Sequence, residues 1–382
     1  MGIKIQKRTN PLTKSSALYV RLGFFLLGLI VLGVILQIVG VNSLALYKTI
    51  IETNVNLFPS TIARFITLLC IAVGLAIPFK ARVDNIGAEG QYIVGMLAGF
   101  GTALYFSYLP PIILIPLMFI NGFILGALWT IPVVIFRAKG GFQGADVVVS
   151  FLLVFPAFYL MNYLITAGPA IWRDPGGFSY SGIIPDSAKI PTFDFKVNLP
   201  NITIPLVDIS LPKYWNFSVV HITLFLVLII TFSVYYLLFR TVDGIPKTKL
   251  GYEITIMGKN KLAGQTSGIS FFKVILITMI LSGGLAGIAG VGEIAGSQHR
   301  LTPKSSGYGF TAIVIAYLGG LNPIGIIFSS LFFAALIVGG TAIKIGNLPS
   351  SSVDLFSGTI LMFVLISEFF LRYKITWRLS NG

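Results

Sequence analysis

Polar side chains that stand inside apolar sequence form the first candidate cluster. The stretch "DNIGAEGQYIVGMLAG" places Asn85, Glu89 and Gln91 at the start of a long apolar run. Charged side chains at membrane depth cost about 2.5–3.5 kcal/mol each on insertion scales, and those that persist often line a hydrated path. In the alternative interpretation Asp84 or Asn85 caps the helix, and Glu89 favours its positive end.

A second cluster lies in "GIAGVGEIAGSQHRLTPKSSGYGF", where Glu293 ends a Gly-rich run and Tyr308 and Phe310 open the next one. Carboxylates accept hydrogen bonds from hydroxyl groups, and aromatic rings stack on flat ligands. Asp146 opens another apolar run, and there the helix-start interpretation is favoured. The two clusters together predict a site for a small polar cargo, formed by Asn85, Glu89, Gln91, Glu293, Tyr308 and Phe310.

The sequence carries no signature of catalysis. It contains no G-x-x-x-x-G-K-[ST] loop and no H-E-x-x-H motif, and no Ser or Cys stands beside a plausible base. The two histidines, His221 and His299, are far apart along the chain, which argues against a metal site. A single cysteine, Cys70, excludes an internal disulfide. We therefore predict that this chain is not an enzyme and binds neither a metal nor a cofactor.

The composition indicates an integral membrane protein. Of 382 residues 55% are apolar and only 10% charged, whereas soluble domains carry about 25% charged residues. A spanning helix needs roughly 20 mostly apolar residues. The eighth candidate run is only about 20 Å long as a helix, which predicts a half-helix or a broken segment. The candidate spans are 17–40, 58–79, 88–108, 112–136, 145–168, 217–239, 271–292, 308–321, 323–343 and 353–372.

The predicted fold class is therefore all-α: a polytopic membrane protein of about ten transmembrane helices with broken helices. Spans one to five and six to ten are predicted to form two pseudo-repeated halves, because interrupted segments occur in both. The N-terminal run is about as long as a full span and lacks a cleavage site, which predicts a retained first helix rather than a secretory signal. We treat residues 1–382 as one transmembrane domain.

Lys and Arg residues predict the orientation. The net charge is +14, yet the charges lie at the ends of apolar runs and form no stripe for nucleic acid. With ten crossings, sixteen of the 27 basic residues fall on one side and eight on the other, while three lie within spans. The positive-inside rule places the more basic side, with both termini, in the cytoplasm.

Two long connectors separate the spans. The external one, 169–216, is rich in Pro and Asp and has short β-branched alternation, which predicts an ordered cap with some strand. It is either a solvated loop or a docking surface for an external protein. The cytoplasmic one, 240–270, contains "KTKLGYEITIMGKNKLAGQTSG". We predict helices near 251–257 and 260–266, separated by Gly258 and closed by Gly268, the alternative being a loose loop that touches nothing.

Three stretches resemble a known family. "DNIGAEGQ" resembles the N-I-G-x-E-G-Q signature of permease subunits from bacterial ABC importers for nucleosides and simple sugars, which are related to ribose and branched-chain amino-acid permeases. "GEIAGSQHRLTPKSSGYGFTAIVIAYLGGLNP" is similar to a second signature of that family. "GYEITIMGKNKLAGQTSGI" is similar to the cytoplasmic coupling segment, with Gly264 where Ala is usual. The resemblance covers the chain from about residue 58 onward.

The resemblance implies a multi-pass protein of the bacterial inner membrane. Implied partners are an ABC ATPase that hydrolyses ATP, an extracytoplasmic substrate-binding (lipo)protein, a second permease that is either a related chain or a copy of this one, and membrane lipid. The implied function is import of nucleosides, purine nucleosides in the first place. The alternatives are ribose, galactose or riboflavin as cargo, an ATP-independent secondary transporter, or a membrane scaffold. The implied ATPase-coupling residues are Gly251, Tyr252, Ile254, Met257, Gly258, Asn260, Leu262 and Gly268.

Overall fold

The long apolar runs of the sequence form helices in the computed structural model. It describes residues 2–8, 14–139, 144–200, 203–204, 209–345 and 351–378. The helices of the N-terminal part are α1 (Lys14–Ile38), α2 (Ser43–Asn56), α3 (Phe58–Lys80), α4 (Ala88–Tyr105), α5 (Pro111–Leu128), α6 (Ile131–Lys139), α7 (Ala145–Leu152) and α8 (Val154–Thr166). Those of the C-terminal part are α9 (Thr223–Val234), α10 (Lys249–Lys259), α11 (Lys261–Thr266), α12 (Phe271–Glu293), α13 (Tyr308–Leu318), α14 (Pro323–Ile345) and α15 (Ser351–Arg372).

Short elements of other kinds complete the described chain. Two helices continue as π-helical turns, α9 over Tyr235–Phe239 and α12 over Ile294–Gln298. The strands are β1 (Gly2–Lys7), β2 (Lys196–Asn198), β3 (Thr203–Ile204), β4 (Ile209–Ser210), β5 (Tyr214–Asn216), β6 (Thr241–Val242), β7 (Ile245–Pro246) and β8 (Tyr373–Arg378). They pair antiparallel in twos, as β1–β8, β2–β5, β3–β4 and β6–β7.

The helices agree with a polytopic membrane protein. Every predicted span coincides with one or two helices, and α13, at 11 residues or about 16 Å, is as short as expected. The number of crossings and the sidedness of the termini stay predictions. Six helical segments of the described chain are long and apolar enough to cross a membrane: Tyr19–Ile38, Phe58–Lys80, Pro111–Ala138, Ala145–Thr166, Phe271–Gln298 and Pro323–Thr341. Shorter apolar helices are Thr223–Phe239, Tyr308–Leu318 and Gly358–Leu371.

The chain divides into two compact units, of which the first comprises Met1–Phe58, Leu199–Lys213 and Ala335–Gly382. In it α1 packs along α15: the rings of Phe24 and Phe370 stack with centroids 4.9 Å apart. The α2 helix is tied to α1 where the hydroxyl of Tyr47 donates to the carbonyl of Leu29 at 2.5 Å. Strands β1 and β8 bring the two ends of the chain side by side, with Gly2 opposite Arg378 in the register.

The second unit comprises Pro59–Asn198 and Tyr214–Ala334 and is built around a glycine contact of α4, α5 and α12. A Cβ added to Gly287 would lie 2.0 Å from the carbonyl oxygen of Gly122, and one added to Gly95 would lie 2.4 Å from the Cα of Gly287. Only glycine allows three helix backbones to approach so closely, as in small-residue packing in membranes. The Gly-rich run before Glu293 thus provides the close contact between these helices.

The connector between α8 and α9 is ordered where the structure describes it. It contains the paired strands β2 and β5 and the 3₁₀ turns Ala170–Trp172 and Asp186–Ala188. Trp172 is buried and donates through Nε1 to the hydroxyl of Tyr105 at 3.1 Å. The expected strand in this connector is confirmed, and its external location stays a prediction.

Candidate functional site

Glu293, at the end of α12, is fully buried and hydrogen-bonded by three side chains. Arg64 of α3 approaches Oε1 at 2.6 Å, Thr67 donates to Oε2 at 2.7 Å, and Gln298 donates to Oε1 at 3.0 Å. The guanidinium of Arg64 also lies 5.9 Å from the centre of the Tyr308 ring. A buried carboxylate requires such a paired cation and donors to offset its lost hydration. The π-helical turn begins directly after Glu293, and such turns are frequent at functional sites.

Glu89 lies where the N-termini of two helices meet. It stands in the first turn of α4, and its carboxylate accepts the backbone N–H groups of Gly307 at 3.0 Å and Gly309 at 2.5 Å, both at the start of α13. The hydroxyl of Ser305 donates to the same carboxylate. Both helix dipoles therefore present their positive ends to one negative charge. A Cβ on Gly309 would lie 2.2 Å from the Glu89 nitrogen, so this approach requires glycine.

Asn85 and Gln91 form a buried amide pair. Each side-chain NH₂ donates to the carbonyl oxygen of the other, at 2.9 and 3.0 Å, and Asn85 donates further to the hydroxyl of Ser282 at 3.0 Å. The expectation that Asp84 or Asn85 caps α4 is wrong, because the N-cap residue is Gly87. Asn85 Oδ1 instead accepts the N–H of Gly87 at 3.1 Å, which stabilises the turn before the helix.

Asp146 connects three elements. It lies in the first turn of α7, as expected, and its Oδ2 accepts the backbone N–H of Asp84 at 2.8 Å. The Nε of Arg137 in α6 is 3.4 Å from the same oxygen. The next turn of α7 repeats this support, since Ser150 Oγ accepts the N–H of Ile86 at 3.0 Å. The segment that leads into α4 is thus fixed by side chains of α7.

The six predicted cargo residues do not all assemble. The ring of Tyr308 lies 6.1 Å from that of Tyr92, and Tyr308 stands between the two glycines that bind Glu89. Phe310 is 38% exposed, and its ring lies 6.3 Å from that of Phe151. Residues two apart on a helix face different directions, so Tyr308 and Phe310 cannot form one stacking pair.

Several side chains that complete these clusters were not predicted from the sequence. Arg64 was the detectable one, because a cation within an apolar span requires a partner. The others carry no local signal, since they are ordinary polar residues whose partners are distant in sequence. They are Thr67, Ser282, Gln298 and Ser305.

A cavity of about 280 Å³ opens beside Arg64, which we call the Arg64 cavity. Its volume is near the lower end of the range of ligand pockets, about 300 Å³. The side chain of Arg64 is 36% exposed, whereas its partner Glu293 is fully buried. Arg64 therefore separates the cavity from the buried carboxylate. The other polar lining residues are Ser60, Thr192, Ser218, Ser297 and His299.

The connector between α9 and α12 forms the two predicted helices, with one correction. Gly258 does not separate them but lies inside α10. It packs closely on the end of α3, since a Cβ there would be 2.0 Å from the carbonyl oxygen of Lys80. The separating residue is Asn260, whose side chain accepts the N–H of Ala263 and caps α11. Gly268 follows α11 with φ +82°. The alternative of a loose loop is thereby excluded.

The apolar side chains of this connector divide into an inner and an outer set. Ile254 and Met257 are buried, and Gly264 provides space for the sulfur of Met257, 2.8 Å from where a Cβ would lie. Tyr252 is 42% exposed and Leu262 is 73% exposed. The backbone of Gly251 packs closely on Leu238, since a Cβ added to Gly251 would lie 2.9 Å from the carbonyl oxygen of Leu238. Of the predicted apolar contact residues, only Tyr252 and Leu262 present side chains to an outside partner.

Contacts run from this connector to the segment before α4. The α10 helix packs through Gly258 on the end of α3 at Lys80, as described above. Lys261 of α11 places its Nζ 3.7 Å from the centre of the Phe271 ring, and the guanidinium of Arg137 lies 5.7 Å from that ring. Arg137 in turn pairs with Asp146, which binds the backbone of Asp84.

Comparison with known proteins agrees with this architecture. The family described as branched-chain amino acid transport system, permease component, matches residues 57–365. The glucose ABC transporter permease protein TsgB13 of Haloferax volcanii is 34% identical over 90% of this chain and 86% of its own. The nucleoside permease protein NupB of Lactococcus lactis and the guanosine permease protein NupP of Bacillus subtilis are each 26% identical. The match to NupB covers 78% of this chain and 76% of NupB, and the match to NupP covers 80% of each chain. No solved structure matches the chain.

Six helical segments of the described chain that are long and apolar enough to cross a membrane, together with the family match, identify a multi-pass transport protein of the inner membrane. The chain belongs to the branched-chain amino acid transport system permease family, and its relatives are permeases of ABC transporters for nucleosides and sugars. It is therefore the permease of an ABC importer, a class that works with an ATPase and a substrate-binding protein.

Proposed function

We propose that this chain forms the membrane passage of an ABC importer whose cargo is a neutral sugar. The buried clusters around Glu89, Glu293 and the Asn85–Gln91 pair consist of carboxylates, amides and hydroxyls, which suit the hydroxyl groups of a sugar. The identity to a glucose permease is higher, and covers more of the chain, than the identity to the two nucleoside permeases.

The placement of Phe310 carries this choice. A nucleobase is best recognised by aromatic rings on its faces, and Tyr308 with Phe310 was the expected pair. Phe310 instead packs near Phe151 and faces a different direction from Tyr308, whose ring lies beside Arg64. The polar cluster therefore offers hydrogen-bonding groups for a sugar, but it lacks the ring of Phe310 as a second aromatic face for a nucleobase.

A nucleoside is the second candidate, favoured by the ring pair of Tyr92 and Tyr308 at 6.1 Å. This pair could enclose a base if it opened, and the relatives NupB and NupP carry nucleoside and guanosine in their names. Ribose and galactose belong with the first candidate, and riboflavin with the second.

The driving force would come from an ATPase that binds α10 and α11. Two exposed apolar side chains, Tyr252 and Leu262, would enter a groove of the ATPase, with Lys259 and Lys261 at the rim. Gly258 packs α10 on the end of α3, Gly251 packs it on Leu238, and Met257 packs against Gly264 of α11, which would make the segment rigid. ATP is then bound and hydrolysed by the partner only. A second permease chain of related sequence would complete the passage, and an extracytoplasmic binding protein would deliver the cargo.

Competitive uptake tests the cargo. The permease is co-expressed with its partner permease, its ATPase and its binding protein. Uptake of labelled glucose and of labelled guanosine is measured, each with the other as competitor. We expect ATP-dependent glucose uptake that excess ribose or galactose reduces and guanosine leaves unchanged. Guanosine uptake that glucose leaves unchanged would reject the sugar and select the nucleoside.

A further inference from the structure

The Arg64 cavity differs from the buried clusters in its unused hydrogen-bonding capacity. Glu293 and Glu89 each accept three hydrogen bonds, and the Asn85–Gln91 pair is closed on itself. The buried Oγ of Ser297, in the cavity lining, has no hydrogen-bond partner among the described residues. A buried polar group without a partner costs about 1–3 kcal/mol, so rotation of the Ser297 hydroxyl toward a polar occupant of the cavity would be favoured.

A second unpartnered group stands directly behind the same wall. His221 is fully buried, and neither of its ring nitrogens has a hydrogen-bond partner among the described residues. Its ring packs on Gly296, where an added Cβ would lie 2.6 Å from it, and Gly296 lines the cavity. Ser297 and His221 thus place unused donors and acceptors on both sides of the π-helical turn.

The lining has the chemistry of a site for a neutral, hydroxyl-rich ring. Hydroxyl groups come from Ser60, Thr192, Ser218 and Ser297, and none of the described lining residues is Phe, Tyr or Trp. The charge of Arg64 is balanced by Glu293. Burial lowers the pKa of His299, and the positive charge of Lys189 lowers it further, so the imidazole is neutral at pH 7.

Arg64 connects this cavity to the interior. A guanidinium has five N–H donors, and only its Nη1 is within hydrogen-bond distance of Glu293. The donors that Glu293 and the hydroxyl of Tyr308 leave unused are available to a molecule in the cavity, because the side chain is partly exposed there. A sugar hydroxyl could therefore bind Arg64 before it reaches Glu293.

We propose that the Arg64 cavity is a loading site, in which Arg64, Ser297 and the neighbouring hydroxyl groups hold the sugar ring of the cargo before it enters the passage. The site lies within one permease chain, between α3, the π-helical turn after α12 and the connector before α9. This inference rests on the proposed function, because it takes the cargo to be a sugar or a molecule that carries one.

Protection of an introduced cysteine tests the loading site. The native Cys70 is buried and its thiol reacts slowly, so it gives a low background. Ser218→Cys places a thiol in the Arg64 cavity. Ser179→Cys is the matched control, because Ser179 is also an exposed serine that lines a cavity, the separate one of about 360 Å³ beside Arg173. The permease–ATPase complex in lipid nanodiscs is labelled with a maleimide, with and without glucose.

We expect glucose at about ten times its Kd to lower the labelling rate of Ser218→Cys about tenfold, and to leave Ser179→Cys unchanged. If the unmodified complex imports glucose but glucose does not protect Ser218→Cys from labelling, the loading site is overturned while the proposed function stands. If the complex imports guanosine and not glucose, the proposed cargo is wrong. The loading site then stands only if guanosine protects Ser218→Cys, through its ribose, and is overturned if it does not.

A second variant gives a functional readout. Ser218→Trp fills part of the cavity at an exposed position, so the fold is not disturbed, and we expect import to fall at least about tenfold, since a blocked site loses more than about 1.4 kcal/mol of binding. Ser179→Trp should import as the wild type does. Equal import by both variants would contradict the loading site.

Discussion

Glu293 and Glu89 have equally buried carboxylates but different neighbours. Glu293 is balanced by a cation, Arg64, whereas Glu89 is held by backbone N–H groups at two helix N-termini. The first arrangement can exchange hydrogen bonds with a passing ligand, because Arg64 is partly exposed. The second fixes the start of α13 against α4, and we assign Glu89 a positioning role.

The Arg64–Glu293 pair should be energetically coupled. Arg64→Met leaves a buried carboxylate without its cation, which costs about 3–5 kcal/mol for fully buried pairs and less here, about 2–3 kcal/mol, because Arg64 is 36% exposed. Adding Glu293→Gln removes the unpaired charge, so the double variant should be more stable than Arg64→Met alone. Denaturant unfolding of the purified permease in detergent measures both.

Arg173→Met is the control for this cycle, since Arg173 is exposed, and it should change stability by less than about 0.5 kcal/mol. Additive losses in the double variant would show that the two side chains do not interact, and would remove the pair from the account.

At the scale of elements, apolar runs were sufficient to predict the helices that resemble membrane spans. They were not sufficient for α2, whose sequence "SLALYKTIIETNVN" mixes apolar and polar residues and carries the exposed pair Lys48–Glu52. The pairing of β1 with β8 joins opposite ends of the chain, and no local pattern specifies such a contact.

The polar clusters were predictable as positions but not as partners. Asn85, Glu89 and Glu293 stand out because they are polar within apolar sequence. That Glu89 binds the start of α13, and that Asp146 holds Asp84, depends on tertiary packing over separations of 220 and 62 residues. The separation of Tyr308 and Phe310 could have been predicted from helix geometry, since both lie in one helix.

The α10–α11 pair should be the contact for the ATPase. Leu262→Asp places a charge where an exposed apolar side chain would enter the partner, so the ATPase should no longer co-purify, and uptake should be lost. Val242→Asp is the matched control, an exposed apolar residue at 51% in the nearby β6 strand, and should leave the complex intact. Co-purification through a tagged permease measures this. Full recovery of the ATPase with Leu262→Asp would place the contact elsewhere.

At the scale of the whole molecule, the second unit contains both the polar clusters and the connector that would receive the ATPase. Two routes of contact lead from α10 and α11 to the segment that precedes α4. Gly258 packs on Lys80 at the end of α3. Phe271 lies between Lys261 and Arg137, and Arg137 pairs with Asp146, which binds the backbone of Asp84. A displacement of these helices would therefore act on the positions of Asp84 and Glu89. This is how hydrolysis in another subunit could open a passage in this one.

Transport in proteoliposomes tests this division of labour most directly. The permease, its partner permease and the ATPase are reconstituted with ATP or a non-hydrolysable analogue on the ATPase side, and loaded binding protein is added on the other. The account predicts accumulation of labelled sugar with ATP only, and none with the analogue or with Leu262→Asp. Equal accumulation without hydrolysable ATP would contradict it and identify an ATP-independent transporter.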